Sequence, residues 1–290
     1  MLEKIVLENL IVKEHTEYTF TREGYVLDQS CTWDEWYDFS DFIKKLSSLK
    51  NVITSRWLDE MDKVIEDDQK ESILEIHYSF EGEKYKYILN ILQGTIILES
   101  IRIKDGYAFC RLSEEPEFFI NEECFTKEGL EKFKGFLPYH NLVFQYSVPG
   151  QKLYDELQKI IYYDLWRETK IEYYMDSFES AFGESYSNII NKTIQDLGFG
   201  DDYISVDRKT GGMISKTHPD ITVEFEALGS GLKHLCKLVP LLYVSKKYGY
   251  SLICPFFDMS LDPFRGEALW KWYTKDLKGQ IITRLQNVRR

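Results

Sequence analysis

The stretch from Glu226 to Pro263 constrains the fold of this chain more than any other. It contains Gly229-Ser230-Gly231, then an apolar run with helical spacing, then the short apolar segment from Ser251 to Phe257. Apolar residues three and four positions apart predict a helix with a buried stripe, and the later segment has the length of a core strand. The free N–H groups of a helix that starts at Gly-Ser-Gly suit an anion. The apolar stripe consists of Leu232, Leu235, Cys236, Leu238, Val239 and Leu242.

Composition excludes several classes of protein. The 290 residues are 43% hydrophobic and 15% aromatic, which is typical of a folded globular chain with a full core. No apolar run approaches the ~18 residues that a membrane helix needs, and the N-terminus lacks a signal-peptide pattern. We therefore expect a cytoplasmic protein without membrane contact. The net charge of −12 opposes direct binding to the phosphates of nucleic acids.

The sequence contains no familiar catalytic or metal-binding pattern. Its five cysteines include no C-x-x-C pair, and we interpret them as free thiols. No Ser-His-Asp, H-E-x-x-H or clustered carboxylate pattern is present, so we assign no catalytic residue and no metal ligand, although such sites can be assembled from distant residues. His77, His140 and His234 lie among apolar neighbours, which favours packing over catalysis.

The spacing of hydrophobic residues changes along the chain. In some segments every second residue is apolar, which is typical of strands, and in others every third or fourth, which is typical of helices. From Ser72 to Leu112 apolar and polar residues alternate between glycine turns, which predicts an antiparallel meander of about four strands. Gln151 to about Phe182 predicts the longest helix, within a helical insertion over about residues 150–197. Together these elements predict a layered α/β fold in one domain, residues 1–290. Further strands are expected over Glu3–Val12, Glu17–Thr21, Gly24–Leu27 and Gly279–Thr283 and around Ile204 and Ile221, and further helices over Trp33–Leu49, Arg56–Ile65, Lys127–Lys134, Ser185–Leu197 and Glu267–Thr274.

Two short motifs resemble those of ABC-type ATPases of the RecF/SMC branch. Leu228 to Lys233 resembles the family signature Leu-Ser-Ser-Gly-Thr-Lys, and Ser260 to Pro263 resembles its D-loop Ser-Leu-His-Pro. Leu2 to Leu10 resembles the opening strand of the family, and Gly279 to Thr283 the strand before its switch histidine. The likeness is to the stand-alone AAA-like proteins of bacterial abortive-infection and anti-phage operons, and it implies an ABC-ATPase-like layered fold. It assigns a remnant signature, Leu228, Gly229, Ser230, Gly231 and Lys233, and a remnant D-loop, Asp258, Ser260, Leu261 and Asp262.

The family's nucleotide-binding residues are missing from their expected positions. A P-loop (Walker A) needs G-x-x-x-x-G-K-S/T, but the segment Asp28 to Trp33, after the third strand, has neither glycine nor lysine. Counting back from Pro263 places Pro255 at the magnesium aspartate of Walker B and Phe256 at the glutamate that polarises water. Thr210 to Thr217 ends in Lys-Thr but lacks both glycines, and we interpret it as a hairpin turn. Phosphoryl transfer depends on all of these missing parts.

These departures predict a pseudo-ATPase, and they therefore favour a protein without enzymatic activity. The chain would be a non-hydrolysing scaffold or regulatory subunit without a cofactor, and would bind a protein partner, either a second copy or an intact ATPase or effector of a bacterial defence system. The alternatives are a divergent active ATPase that uses ATP and magnesium, and a DNA-associated module of the same lineage. A plainer interpretation also stays open: Leu228 to Lys233 as a glycine turn that caps a helix, and Asp258 and Asp262 as turn and cap residues.

Overall fold

The computed structural model confirms the predicted α/β class, with a large antiparallel sheet, a smaller parallel sheet and helices. Backbone contacts divide the chain into two compact units. The first is Met1–Arg22 with Tyr37–Ile160, and the second is Glu23–Trp36 with Ile161–Arg290. The single ABC/AAA-like domain expected over residues 1–290 stays a prediction. The structure describes residues 1–11, 14–21, 24–27, 50, 64–104, 106–112, 118–135, 144, 146–163, 171–197, 203–207, 210–215, 218–258 and 260–284.

The elements follow the chain in this order. The described strands are β1 (Leu2–Glu8), β2 (Thr16–Thr19), β3 (Gly24–Leu27), β4 (Ser72–Phe80), β5 (Glu83–Leu92), β6 (Thr95–Ile103), β7 (Gly106–Leu112), β8 (Phe118–Ile120), β9 (Ile160–Tyr162), β10 (Tyr203–Val206), β11 (Met213–Ser215), β12 (Thr222–Val223), β13 (Ser251–Phe256) and β14 (Gln280–Arg284). The described helices are α1 (Lys127–Gly135), α2 (Val148–Gln158), α3 (Ile171–Phe182), α4 (Tyr186–Asp196), α5 (Ser230–Tyr248) and α6 (Pro263–Thr274). None of these helices is long and apolar enough to cross a membrane.

The first unit is built on a seven-stranded antiparallel sheet in the order β2-β1-β4-β5-β6-β7-β8. Leu74, Ile76 and Tyr78 alternate along β4 and are fully buried, because successive side chains of a strand point to opposite faces. The Tyr78 hydroxyl donates a hydrogen bond of 2.7 Å to the Pro149 carbonyl of α2, which places that helix on the buried face. The meander predicted over residues 72–112 is confirmed as β4 to β7.

The second unit contains the four-stranded sheet β3-β14-β13-β9, in which β3, β14 and β13 run parallel. Leu252, Ile253 and Cys254 are consecutive and fully buried, as expected of a parallel strand with both faces covered. The predicted apolar stripe of α5 lies in the same core. A small antiparallel sheet, β10-β11-β12, completes the unit, and the turn before β11 confirms that Thr210 to Gly212 belongs to a hairpin.

The continuous helix predicted from Gln151 to Phe182 is wrong. Helix α2 ends at Gln158, residues 160–162 form β9, and α3 begins only at Ile171. Isoleucine and tyrosine, which make up β9, are residues that favour strands. The backbone N–H of Tyr163 donates to the Ile253 carbonyl at 2.8 Å, so this segment gains a partner strand that helical spacing does not reveal.

The structure tests some of the other predicted helices and strands, and the rest fall outside the described residues. The N-terminal strands, α1, α4, α6 and the final strand are confirmed with shifted ends. The helix predicted over Trp33–Leu49, nearly all of that over Arg56–Ile65, the P-loop position Asp28 to Trp33, and His140 lie outside the described residues.

Candidate functional site

Helix α5 starts at the signature-like motif and lies directly against the D-loop-like residues. Gly229 is its N-cap, in extended conformation, and makes no side-chain capping bond. A β-carbon on Gly231 would lie 2.6 Å from the carbonyl oxygen of Ser260, so only glycine lets the helix start approach this closely. Leu228 is buried, whereas Gly229 and Ser230 are exposed. The structure therefore brings the two predicted motifs together within one chain.

The loop between β13 and α6 is held by its own backbone and by a cap. The Leu261 N–H donates to the Asp258 carbonyl at 3.2 Å, and Ser260 has a left-handed φ of 62°. Asp262 caps α6, because its carboxylate accepts a 3.0 Å hydrogen bond from the Arg265 N–H. Asp258 and Leu261 are buried, whereas Ser260 and Asp262 are exposed. The turn-and-cap interpretation thus describes Asp262 and the Asp258 backbone, and the Asp258 carboxyl lies in the interior.

Lys233 stabilises the turn before α5. Its Nζ donates to the Glu226 carbonyl at 2.6 Å and lies 3.4 Å from the carboxylate of the same residue. The ammonium is also 5.9 Å from the centre of the Phe225 ring. The ammonium group of this signature-like lysine thus interacts with residues of the turn just before its own helix.

His234 connects α5 to the strands beside it, a contact that the sequence did not reveal. The imidazole is buried, with Nε2 2.9 Å from the Phe257 carbonyl oxygen and Nδ1 3.2 Å from the Tyr163 hydroxyl. A carbonyl can only accept, so Nε2 carries the proton and Nδ1 accepts from the hydroxyl in the neutral tautomer. The histidine is packed, as predicted, and both of its nitrogens are used in holding α5 against β13 and β9.

The carboxyl edge of the parallel sheet includes Phe256, which the resemblance assigned to the glutamate that polarises water. In the backbone register Arg284 pairs with Leu27 on one side and with Phe256 on the other. The pairing skips Pro255, where the register shifts, because proline has no N–H to donate to the ladder. In open α/β sheets, ligands bind outside the carboxyl ends of the parallel strands. The last paired residues of β3, β14 and β13 at this edge are Leu27, Arg284 and Phe256, and the first residue after β13 that carries a carboxylate is Asp258.

The described acidic, histidine and cysteine side chains form no cluster that could hold a metal ion. Within the described part of the chain, no group of three or more His, Cys, Asp or Glu side chains has a suitable arrangement. Burial raises the pKa of the Cys236 thiol on α5 to about 12, so this cysteine is a neutral core residue.

Comparison with known proteins gives a structural likeness to SMC heads. The chain is 14% identical to the SMC head domain from Thermotoga maritima, with a TM-score of 0.47 over 98% of this chain and 89% of that one. It is 13% identical to an SMC head bound to the C-winged helix domain of ScpA, with a TM-score of 0.46 over 99% of this chain and 89% of that one. No protein-family model matches the chain, and no curated protein matches it. Both TM-scores lie below 0.5, so they assign neither a family nor a function.

Proposed function

We propose that this chain is a non-hydrolysing ABC-type module, a pseudo-ATPase that acts as a scaffold or regulatory subunit by binding a protein partner. The observation that carries the proposal is the carboxyl edge of the parallel sheet. There β13 ends in Pro255 and Phe256. The resemblance assigns these two positions to the carboxylates that would hold magnesium and polarise the attacking water. The sequence after Leu27, which lacks the glycines and the lysine of a P-loop, supports the same conclusion.

The exposed parts of the two motifs support partner binding. We use the term motif face for Gly229, Ser230, Ser260, Asp262 and Phe264. The first four are exposed around the contact between Gly231 and Ser260, and Phe264, in the first turn of α6, is 76% exposed. Aromatic side chains, phenylalanine among them, are enriched in protein–protein interfaces relative to the rest of the surface. Because the resembled ATPases pair head to tail through these motifs, we propose that the motif face binds a second copy or an intact ATPase. A role in anti-phage defence is supported by the resemblance alone.

The first test is the thermal stability of the purified chain with and without excess Mg-ATP. A ligand at about 100 times its Kd stabilises the folded state by about 2.7 kcal/mol, which raises Tm by a few degrees. We expect no shift and no release of phosphate. A magnesium-dependent rise in Tm, accompanied by turnover, would overturn the pseudo-ATPase proposal.

The second test concerns the motif face. If its partner is a second copy, the chain should self-associate in sedimentation velocity. Phe264→Ser should then weaken association about ten-fold, because a central aromatic residue contributes more than 1 kcal/mol to a contact. Tyr173→Ser is the matched control, since Tyr173 is 65% exposed on a different helix, α3. A monomeric wild-type chain would favour an intact ATPase as the partner, and equal effects of the two substitutions would contradict the assignment of the motif face.

The bulge at Pro255 favours one competing function, a divergent active ATPase. Counting positions along a strand assumes a regular ladder, and the register shift between Cys254 and Phe256 breaks that regularity. Asp258, fully buried just beyond β13, would then be the carboxylate that holds magnesium. Magnesium-dependent hydrolysis of ATP that Asp258→Asn abolishes, while the fold persists by circular dichroism, would establish this function in place of the pseudo-ATPase.

A further inference from the structure

A cavity of about 470 Å³ lies in the second unit between α4, the C-terminal half of α5 and the end of α6. Its volume falls in the range of small-molecule sites, which is roughly 300–1,000 Å³. It shares no residue with the motif face. The residues that decide its chemistry are Lys192, Thr193, Asp196, Lys246, Trp272 and Asp276.

The cavity is lined by equal numbers of positive and negative side chains, and only some of them form ion pairs. Three lysines and three carboxylates contribute to the wall, and of these Lys247 and Glu184 form an ion pair at 2.6 Å. The remaining two lysines, Lys192 and Lys246, and two aspartates, Asp196 and Asp276, form no ion pair within the part of the chain that the structure describes. The cavity thus offers two positive and two negative groups to a guest.

Lys246 retains hydrogen-bonding capacity toward the cavity. Its ammonium donates to the Trp272 carbonyl and lies 4.9 Å from the centre of the Trp272 indole. An ammonium has three donors, so two remain for an acceptor. Burial lowers the pKa of Lys246, and the charges of Asp276 and Asp196 act in the opposite direction. A carboxylate in the cavity would stabilise the charged form of this lysine.

Thr193 also lines the cavity, and the residue as a whole is only 2% exposed. Its hydroxyl can both donate a hydrogen bond to a polar guest and accept one from it.

We infer that this cavity binds a small zwitterion, a molecule with a carboxylate, an ammonium group and an apolar or aromatic body. Lys192 and Lys246 accommodate the carboxylate, Asp196 and Asp276 accommodate the ammonium group, and Trp272 contacts the body. A simple anion would be repelled by the carboxylates of Asp196 and Asp276, and a simple cation would be repelled by the two ammonium groups. A free amino acid has this chemistry, and so does a peptide segment that carries an acidic and a basic side chain.

The test uses probes that differ by one charge. L-Phenylalanine, 3-phenylpropionate and phenethylamine share a ring, and the last two lack the ammonium and the carboxylate, respectively. We expect calorimetry or saturation-transfer NMR to detect L-phenylalanine, with each of the other two bound about ten-fold more weakly or not at all. The blocked peptide acetyl-Glu-Phe-Lys-amide distinguishes the sources, since its preference over L-phenylalanine would identify a peptide segment as the guest. Equal binding of the three small probes, or no binding of any probe, would overturn the inference.

Variants locate the binding in the cavity. Asp276→Asn and Lys192→Gln should each weaken binding of the preferred zwitterion about ten-fold. Asparagine suits Asp276 because this residue has a φ of 60°, in the left-handed region. Lys246→Met should also abolish binding, but it removes the bond to Trp272 as well, so the other two variants keep the test valid if it misfolds. Lys271→Met is the control, because Lys271 on α6 is exposed and pairs with Glu267 at 2.5 Å. Binding unchanged in Asp276→Asn and Lys192→Gln would contradict the site.

Discussion

Gly231 lets the first turn of α5 lie against the loop before α6. A β-carbon there would be 2.6 Å from the Ser260 carbonyl oxygen, which belongs to backbone and cannot rotate away. Alanine favours a helix over glycine by about 1 kcal/mol, but relief of an overlap in a packed site costs about 1–3 kcal/mol. We expect Gly231→Ala to lower the free energy of unfolding by up to about 2 kcal/mol, measured by urea denaturation.

Gly229→Ser is the control for this prediction, two residues earlier in the same motif. A β-carbon on Gly229 meets no atom within 4 Å, and serine is among the best N-cap residues. The substitution should leave stability unchanged or raise it by a few tenths of a kcal/mol. A Gly231→Ala variant as stable as Gly229→Ser would show that helix and loop are not in close contact.

Glu99 is a fully buried carboxyl group in the large antiparallel sheet. Its carboxylate lies 2.9 Å from an Arg111 guanidinium nitrogen on β7 and accepts a 3.1 Å hydrogen bond from the Tyr87 hydroxyl on β5. Burial raises the pKa of Glu99 from 4.5 to about 7, and Arg111 and Tyr87 offset only part of that rise.

The raised pKa of Glu99 makes stability depend on pH. The folded chain holds this proton more tightly than the unfolded chain, so the contribution is full below the unfolded pKa and is lost as pH rises toward 7. The stability of the wild type relative to Glu99→Gln should therefore fall by about 3 kcal/mol from pH 4 to pH 8, measured by urea denaturation. The opposite trend is expected for Glu83→Gln, because Lys104 lowers the pKa of the exposed Glu83. A pH-independent difference for Glu99→Gln would contradict the assignment.

At the scale of elements, α5 is a helix with Pro240 in its interior. Proline lacks the N–H that would bond to the carbonyl four residues earlier, which is that of Cys236. The Tyr186 hydroxyl of α4 donates to this carbonyl at 2.7 Å, and the Tyr174 hydroxyl of α3 donates to the next carbonyl, that of Lys237, at 2.5 Å. Two neighbouring helices thus satisfy the backbone of α5 around its proline.

The two tyrosines should differ in importance. Tyr186→Phe leaves the buried Cys236 carbonyl without a donor and should cost about 1–3 kcal/mol of unfolding free energy. Tyr174→Phe should cost about 1 kcal/mol or less, because the Lys237 carbonyl can still accept from the backbone N–H of Leu241. In a Pro240→Ala background, the new N–H at position 240 should reduce the cost of Tyr186→Phe, which a double-mutant cycle measures. Additive effects of Pro240→Ala and Tyr186→Phe would contradict this account.

Sequence periodicity predicts elements whose structure is decided by near neighbours. The meander from Ser72 to Leu112 and the α5 stripe belong to this class, and both are confirmed. Strand β9 is different, because Ile160 to Tyr163 gains its partner from β13, which is distant in sequence. In the site, the resemblance assigned the two motifs but could not show that Gly231 and Ser260 touch. The bonds of His234 and Tyr186 likewise join residues far apart in the chain, and local spacing carries no signal for them.

At the scale of the whole molecule, the second unit is discontinuous in sequence. It consists of Glu23–Trp36, which contains β3, and of Ile161–Arg290. A fragment of residues 161–290 therefore lacks one of the two strands that pair with β14, whose Ile281 and Ile282 are buried. We expect this fragment to self-associate in light scattering, because an unpaired apolar edge strand pairs with other chains.

A peptide of residues 21–30 should reduce this association, since it restores the missing strand. A scrambled peptide of the same composition is the control and should have no effect. A fragment of residues 161–290 that stays monomeric on its own would show that β3 is dispensable for the second unit.

The pairing of β3 with β14 also sets an order of events during synthesis. The ribosome releases residues 24–27 early, and their partner only when residues 280–284 emerge. The intervening chain must close a very long loop before these strands can pair, and contacts so distant in sequence form slowly. Nascent chains that stop before β14 therefore carry β3 without its hydrogen-bonding partner, and the quality-control machinery of the cell meets this unpaired strand while the residues between β3 and β14 are being synthesised.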